Sequence, residues 1–284
     1  MSAPAPVATR VRPWTRRFRY GWIVEAALGV VVYFAYDDVR ERVAGSAHVA
    51  LDNARDLIRW EQAIGLYQEL RIQRWFIDWG WFLSFWNIYY GTIHFVMPVV
   101  ALVLLWRRAP ARYVVWRNIL LTMLVIGLVM FWLWPLMPPR LMPQRGFVDT
   151  AAEFFNFGPQ QRVVLVHGVP TAASTAAFGN LFAAMPSFHA GWSMWSALAV
   201  LPVLRSRWAR ALVLLDVVFT VFAIVVTANH WILDAVGGWV VLAVSWALVT
   251  TYERWRHPQD WAQAKRRPEP DPVAREIGVG SPQA

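Results

Sequence analysis

The chain of 284 residues is 57% hydrophobic and only 16% charged, with a mean hydropathy of +0.36, more apolar than a soluble domain of this length needs for its core. That balance excludes an ordinary soluble fold and points to a polytopic, all-α membrane protein. The absence of cysteine excludes disulfides and thiolate metal sites.

Six apolar runs are long enough, or nearly so, to cross a hydrocarbon core of about 30 Å as helices. In chain order they are Tyr20–Tyr36, Gly80–Trp106, Asn118–Met137, Pro186–Leu204, Ala211–Ala228 and Trp231–Tyr252. The first follows a basic N-terminus as a signal peptide would, but it closes in Tyr33, Phe34, Tyr36 and Asp37 rather than in a small-residue cleavage site, so it is read as a retained span. Nineteen Trp and eight Tyr, many near run ends, suit the aromatic belts of the two interfaces.

Charge sets the expected orientation, because cytoplasmic segments retain Lys and Arg. With the N-terminus inside, residues 1–19, 107–117, 205–210 and 253–284 hold 18 basic against 5 acidic residues. The outer segments, 37–79 and 138–185, hold 6 and 3 basic residues against 8 and 2 acidic ones. The expected organisation is a cytoplasmic basic N-terminus (1–19), a six-helix catalytic membrane domain (20–252) and a disordered cytoplasmic tail (253–284), in the plasma (inner) membrane with an extracytoplasmic site. The net charge of +9 is then a topology signal and not a nucleic-acid footprint.

Residues 47–79 place Leu51, Ala54, Leu57, Ile58, Ile64 and Leu66 at mostly helical spacing among balanced charges, which predicts amphipathic helices along the outer interface, as a connector or as a wall over a lipid entrance. The 42-residue outer loop from Pro139 to Asn180 is too long for a simple turn.

Polar residues at membrane depth carry the chemistry. Pro186 and Ser187 suit a helix start, and His189 follows in its first turn, where backbone amides and the Ser187 hydroxyl offer an anion site. In "NHWILD", Asn229 is a candidate N-cap, His230 opens the sixth helix, and Asp234 lies four residues on, within reach of the imidazole. That pairing fixes the tautomer and leaves the other ring nitrogen as base or nucleophile. Arg140, after the third span, faces the same surface as a phosphate ligand. His94, Asn87, Tyr89 and Tyr90 in the second span are candidates for a headgroup pocket, or for interhelical hydrogen bonds. Glu25 and Asp216, toward the inner ends of spans one and five, are expected to pair with cytoplasmic arginines. No carboxylate cluster that would hold a metal is apparent, and no cofactor is expected.

The motifs "PSFH" at 186–189 and "HWILD" at 230–234 resemble the second and third signatures of the type 2 phosphatidic acid phosphatase superfamily. That resemblance implies a six-helix membrane core that transfers phosphoryl groups through a phosphohistidine without metal. Phe188 stands where its phosphatases usually have Gly; with "YYGTIHFVMP" at 89–98 and "PPR" at 138–140, this is similar to the branch containing inositol phosphorylceramide synthase (an inositolphosphotransferase) and, more distantly, sphingomyelin synthases. The superfamily's first-motif Lys is replaced by Leu133, Leu141 follows Arg140 where Pro is usual, and the Ser-Arg pair before the third-motif His is replaced by Ala223 and Ile224. These departures argue against a vanadium haloperoxidase, and Arg145, Arg162 and His167 in the outer loop are candidates to replace the lost cations.

On this reading His230, oriented by Asp234, attacks phosphorus, and His189 protonates the leaving oxygen and then serves as base. Arg140, Ser187 and helix amides stabilise the phosphoryl oxygens. The expected substrate is a phospholipid or polyprenyl phosphate drawn from the surrounding membrane lipids, with water or a lipid alcohol as acceptor. A flippase or transporter, or an inactive scaffold of the same fold, are the alternatives; the charges cluster at one surface and form no path across.

Overall fold

A computed structural model describes residues 21–42, 46–150, 163–166, 169–172 and 182–256. Among them eight α-helices follow in order: α1 (Gly21–Arg42), α2 (Ala47–Ala63), α3 (Glu69–Phe76), α4 (Gly80–Arg108), α5 (Pro110–Leu133), α6 (Phe188–Val200), α7 (Arg207–Val226) and α8 (Ile232–Arg256). Between α5 and α6, two 3₁₀ turns (Pro139–Leu141 and Pro143–Arg145) precede a two-stranded antiparallel ribbon, β1 (Val163–Val166) and β2 (Val169–Ala172), in which Val163 pairs with Ala172.

Four helices, α4, α5, α7 and α8, are long and apolar enough to cross a membrane. Their outward faces carry large apolar side chains, among them Val99, Val125, Leu214, Val218, Val240 and Leu248, a surface suited to lipid and not to water. Each expected run is helical, but the bounds move for local reasons. The helix expected from Asn118 begins at Pro110, which suits a first helical turn, and ends at Leu133 ahead of Pro135. The run from Pro186 to Leu204 yields a 13-residue helix, about 20 Å long, that is too short to span alone. Glu25, Asp37 and Asp38 dilute the apolar character of α1.

The short helix α6 is the hub, packed against α4, α7 and α8. Trp195 at its centre is fully buried, and its indole N–H donates to the Trp116 carbonyl of α5 at 3.1 Å. α6 and α8 approach through glycine. A Cβ on Gly238 would lie 2.2 Å from the Ser187 carbonyl oxygen, and one on Gly191 would lie 3.2 Å from the Gly238 oxygen. In an apolar solvent such backbone proximity is what holds helices together. Gly127 on α5 serves differently: a Cβ there would lie 2.1 Å from the Phe188 ring, so the bulky residue of "PSFH" has its socket in a glycine.

The stretch 47–79 forms two helices, α2 and α3, and is more than a connector. Ala50, Leu51, Ala54, Leu57 and Ile58 are buried against the 136–142 segment and Trp231. The Met137 amide donates to the Ala50 carbonyl at 3.1 Å, and Asn53 donates to the Pro135 carbonyl at 2.8 Å. Within the helices, Glu25 pairs with Arg117 and accepts from the Tyr113 hydroxyl at 2.9 Å, in line with expectation. Asp216 does not pair with an arginine. It accepts from the Tyr89 hydroxyl of α4 at 2.5 Å, because the buried face of α7 that carries it packs on α4 and not on a cytoplasmic loop.

Replacing Gly238 by Ala forces α6 and α8 apart and is expected to destabilise the fold by about 1–3 kcal/mol. Gly29→Ala, where nothing lies within 4 Å of the added carbon, provides the control and should leave stability unchanged or slightly raised. Thermal unfolding of both variants in detergent checks the contrast.

Candidate active site

Two helix starts meet at the site. Ser187 caps α6, its hydroxyl accepting from the Ala190 amide at 3.4 Å, while its own amide donates to the Asp234 carbonyl at 2.9 Å. This bond places His189, in the first turn of α6, opposite the segment between α7 and α8. That segment turns sharply at Ala228, which is fully buried with φ +54°, a strained value for a residue with a side chain. The Ala228 carbonyl accepts the Arg140 amide at 2.8 Å, fastening the 3₁₀ turn after α5 to the same corner.

His230 does not open α8, and Asn229 is not its cap. The helix starts at Ile232, and the Asn229 side chain turns back to the Thr227 hydroxyl at 2.8 Å. Carboxyl groups cap α8 instead. Asp234 Oδ2 accepts from the Trp231 amide at 2.9 Å, Glu69 Oε1 from Ile232 at 2.8 Å, and Glu61 Oε1 from Leu233 at 2.9 Å. The expected contact between His230 and Asp234 is nonetheless made, across the turn: His230 Nδ1 lies 3.3 Å from Asp234 Oδ2 and 2.9 Å from the Ala184 carbonyl. Both neighbours are acceptors, so Nδ1 carries the proton and Nε2 presents a lone pair. Nε2 faces His189 Nδ1 at 3.3 Å.

Around this pair, Tyr90 of α4 stacks on His189 with ring centres 4.0 Å apart and planes 18° from parallel. His94, one turn further along α4, lies 4.0 Å from the same ring, and its Nδ1 is 2.6 Å from the Tyr90 carbonyl. The cluster forms one end of a cavity of about 1250 Å³ that also reaches Arg40, Arg140, Asn229 and Phe188. Arg140 is held by Asp149 at 2.9 Å. From the histidines the cavity continues between α1, α4 and α5 along an apolar lining to Glu25, Tyr113 and Arg117.

The remaining expected residues lie elsewhere. Ser187 is fully buried beneath the cavity lining as a cap. Asn87 is buried between the Leu83 carbonyl and the Thr150 hydroxyl, outside the lining. Arg145 is exposed on the second 3₁₀ turn, also outside it. Arg162 and His167 fall outside the described residues. Among the described residues no group of three His, Asp or Glu side chains is arranged to hold a metal ion. Three carboxyl groups do converge, but around backbone amides.

A family model described as the PAP2 superfamily matches residues 55–248, more than half of the chain. The chain belongs to the PAP2 superfamily. That membership supports phosphatase or phosphotransferase chemistry in a membrane protein. No curated protein and no solved structure matches the chain.

Three residues that matter here were not picked out from the sequence. Arg40 stands in the cavity with Arg140 although it belongs to α1, and no local pattern links it to the histidine motifs. Of the other two, Glu61 did leave a signal. Ala50, Ala54, Leu57, Ile58 and Glu61 fall on one helical stripe, so a carboxylate occupies a position whose spacing reads as core.

The geometry separates the loop arginines. Arg140→Ala is expected to lower kcat/KM by about 10²-fold or more, as removal of a donor to developing charge does. Arg145→Ala should stay within about twofold, since a surface charge beyond the site acts only through screened solvent. Steady-state phosphate release on a short-chain lipid phosphate measures both.

Proposed function

We propose that the protein is a membrane-embedded, metal-independent lipid phosphatase or phosphotransferase that works through a phosphohistidine on His230. The observation that carries this reading is the orientation of that ring: Nδ1 is occupied by Ala184 and Asp234, and Nε2 points at His189 at the polar end of an apolar cavity.

The long cavity favours a lipid over a soluble phosphate. From Glu25 to Arg40 the cavity follows α1 over 16 residues, about 22 Å of helix, more than the ~15 Å half-thickness of the hydrocarbon core and so long enough to take an acyl chain. A phospholipid or polyprenyl phosphate would lay its chains along this lining and bring its phosphate to Arg140 and Arg40. These two cations take the role that the superfamily's missing Lys and Arg leave open, with the amides at the start of α6 beside them.

The 3.3 Å contact between the two imidazoles leaves no room for a phosphoryl group, so the His189 ring swings aside as the phosphate enters. In the first step Nε2 of His230 forms a bond to phosphorus as the bond to the leaving oxygen breaks, and His189, protonated, gives its proton to that oxygen. In the second, water or a lipid alcohol loses a proton to His189 and attacks phosphorus, and the bond to Nε2 breaks. Asp234 stabilises the positive charge on the substituted ring throughout. Transfer to an alcohol is the outcome suggested by the resemblance to inositol phosphorylceramide synthase, and hydrolysis is the simpler alternative at the same site.

For the membrane arrangement, we infer six crossings, with α1 and the run from Pro186 to Leu204, in which the turns at 201–204 extend α6, completing the four long helices. Both termini then lie in the cytoplasm, and the histidines and α2–α3 lie at the outer surface, as the distribution of basic residues favours.

Purified protein supplied in chelator with phospholipids and polyprenyl phosphates, with and without a lipid alcohol, should release free phosphate or a phosphorylated alcohol. Acid-labile label from a ³²P-lipid should accumulate on the wild type. His230→Ala should lose both label and turnover, by roughly 10⁴-fold or more. Turnover within about tenfold of the wild type in that variant would overturn the assignment.

A further inference from the structure

Three consecutive amides at the start of α8, those of Trp231, Ile232 and Leu233, are each taken by a carboxylate oxygen, from Asp234, Glu69 and Glu61 respectively. Glu61 and Glu69 come from different helices, α2 and α3, and the loop between them brings Tyr67 to stack on Trp231 with ring centres 6.3 Å apart. All three carboxyl groups are fully buried. Each accepts through one oxygen, while Glu61 Oε2, Glu69 Oε2 and Asp234 Oδ1 are buried with no hydrogen-bond partner.

This arrangement does not hold as three anions. The start of a helix offers only about half a positive charge, and an unpaired buried carboxylate is severely costly. The Glu61 and Glu69 carboxyls sit on the adjacent amides of Leu233 and Ile232, close enough for a charge on Glu69 to disfavour one on Glu61. One proton shared between them would give both leftover oxygens a partner and remove one charge, which would ease ionisation of Asp234 beside His230.

We propose that Glu61 and Glu69 form a proton-sharing clamp on the start of α8 that positions Asp234 and His230 for attack on phosphorus. The inference rests on the phosphohistidine reading above for its catalytic consequence, but not for the clamp itself. Neither glutamate touches the substrate cavity, so both are positioning residues. Burial, with the Glu69 carboxylate next, raises the Glu61 carboxyl to about 9, and burial raises Glu69 as well, so the pair favours holding a proton. The ionisable groups facing the pair are Asp234 from α8 and Tyr67 from the α2–α3 loop, with Arg74 of α3 and Arg145 of the second 3₁₀ turn around Tyr67.

The sign of the pH dependence follows. The folded protein then holds a proton on the pair that the unfolded chain releases near its ordinary value, so this contribution to stability is complete below about pH 4.5 and declines as pH rises to about 9. Glutamine mimics the protonated acid: its carbonyl keeps the Leu233 amide and its NH₂ donates to Glu69. The unfolding temperature of the wild type should therefore fall relative to that of Glu61→Gln between pH 5 and 9.

The test compares full-length wild type with Glu61→Gln, Glu61→Ala, Glu69→Ala and His230→Ala. The alanine variants should lower the rate of phosphohistidine formation by about tenfold to a hundredfold with KM within about twofold, through misplacement of the nucleophile. They should also shift the ¹⁵N signals of the His230 ring without substrate present. Glu61→Gln should recover most of the rate and the wild-type ring signals. Alanine variants with unaltered rates and ring signals, a glutamine variant no better than alanine, or a wild-type offset that stays flat from pH 5 to 9 would each overturn the clamp. If an alanine variant does not fold, the glutamine variant's pH-dependent offset and ring signals decide alone. Turnover that survives in His230→Ala overturns the phosphohistidine reading, while ring signals and unfolding still judge the clamp.

Discussion

A single backbone hydrogen bond, from the Ser187 amide to the Asp234 carbonyl at 2.9 Å, sets the distance on which the site depends. It joins the starts of two helices that carry one histidine each. It forms only because Gly191 and Gly238 let the two backbones come together. In a membrane, helices gain little by burying apolar faces on one another, so close contact and polar bonds must fix their relative height. A shift of one residue along α8, about 1.5 Å, would carry the His230 turn out of register with His189.

The same bond explains why the site sits where the helices begin rather than halfway along them. Helix starts leave amides without intrahelical partners, and these need acceptors wherever water is scarce. At α6 the acceptor is the Ser187 hydroxyl. At α8 it is a set of three carboxyl groups, two of them supplied by α2 and α3. α2 and α3 thus do more than pack beside the site. They supply the polar partners that let a strained turn at Ala228 and a buried aspartate persist in one arrangement.

Much of this was legible in the sequence because it is local. "PSFH" and "HWILD" hold their geometry within a few residues, and the contact of His230 with Asp234 survives even though the helix starts two residues later than the spacing suggests. The six apolar runs are all helical for the same reason: length and composition act within each run. What could not be read is long-range. Asn229 looks like a cap until Glu61 and Glu69 arrive from some 160 to 170 residues away to take that role. Arg40 looks like a helix-end charge until α1 is set beside α4 and α5. Asp216 looks like a partner for arginine until Tyr89 faces it.

Phe188 shows how one unusual residue couples the chemistry to the lipid-facing scaffold. Its ring stacks on Trp192 with centres 5.4 Å apart, meets Tyr36 and Phe131 edge-on, and sits over Gly127 of α5. Glycine in its place would leave the neighbouring His189 open to the apolar cavity and would remove the contact between α6 and α1. With phenylalanine, the first turn of α6 is braced against both α1 and α5 while the histidine beside it remains on the polar side. The bulky residue therefore joins α1, α5 and α6 at one point of the cavity lining, beside His189. Because α1 supplies both Tyr36, against Phe188, and Arg40, in the lining with Arg140, the position of α1 bears on the shape of the cavity and on its charge together.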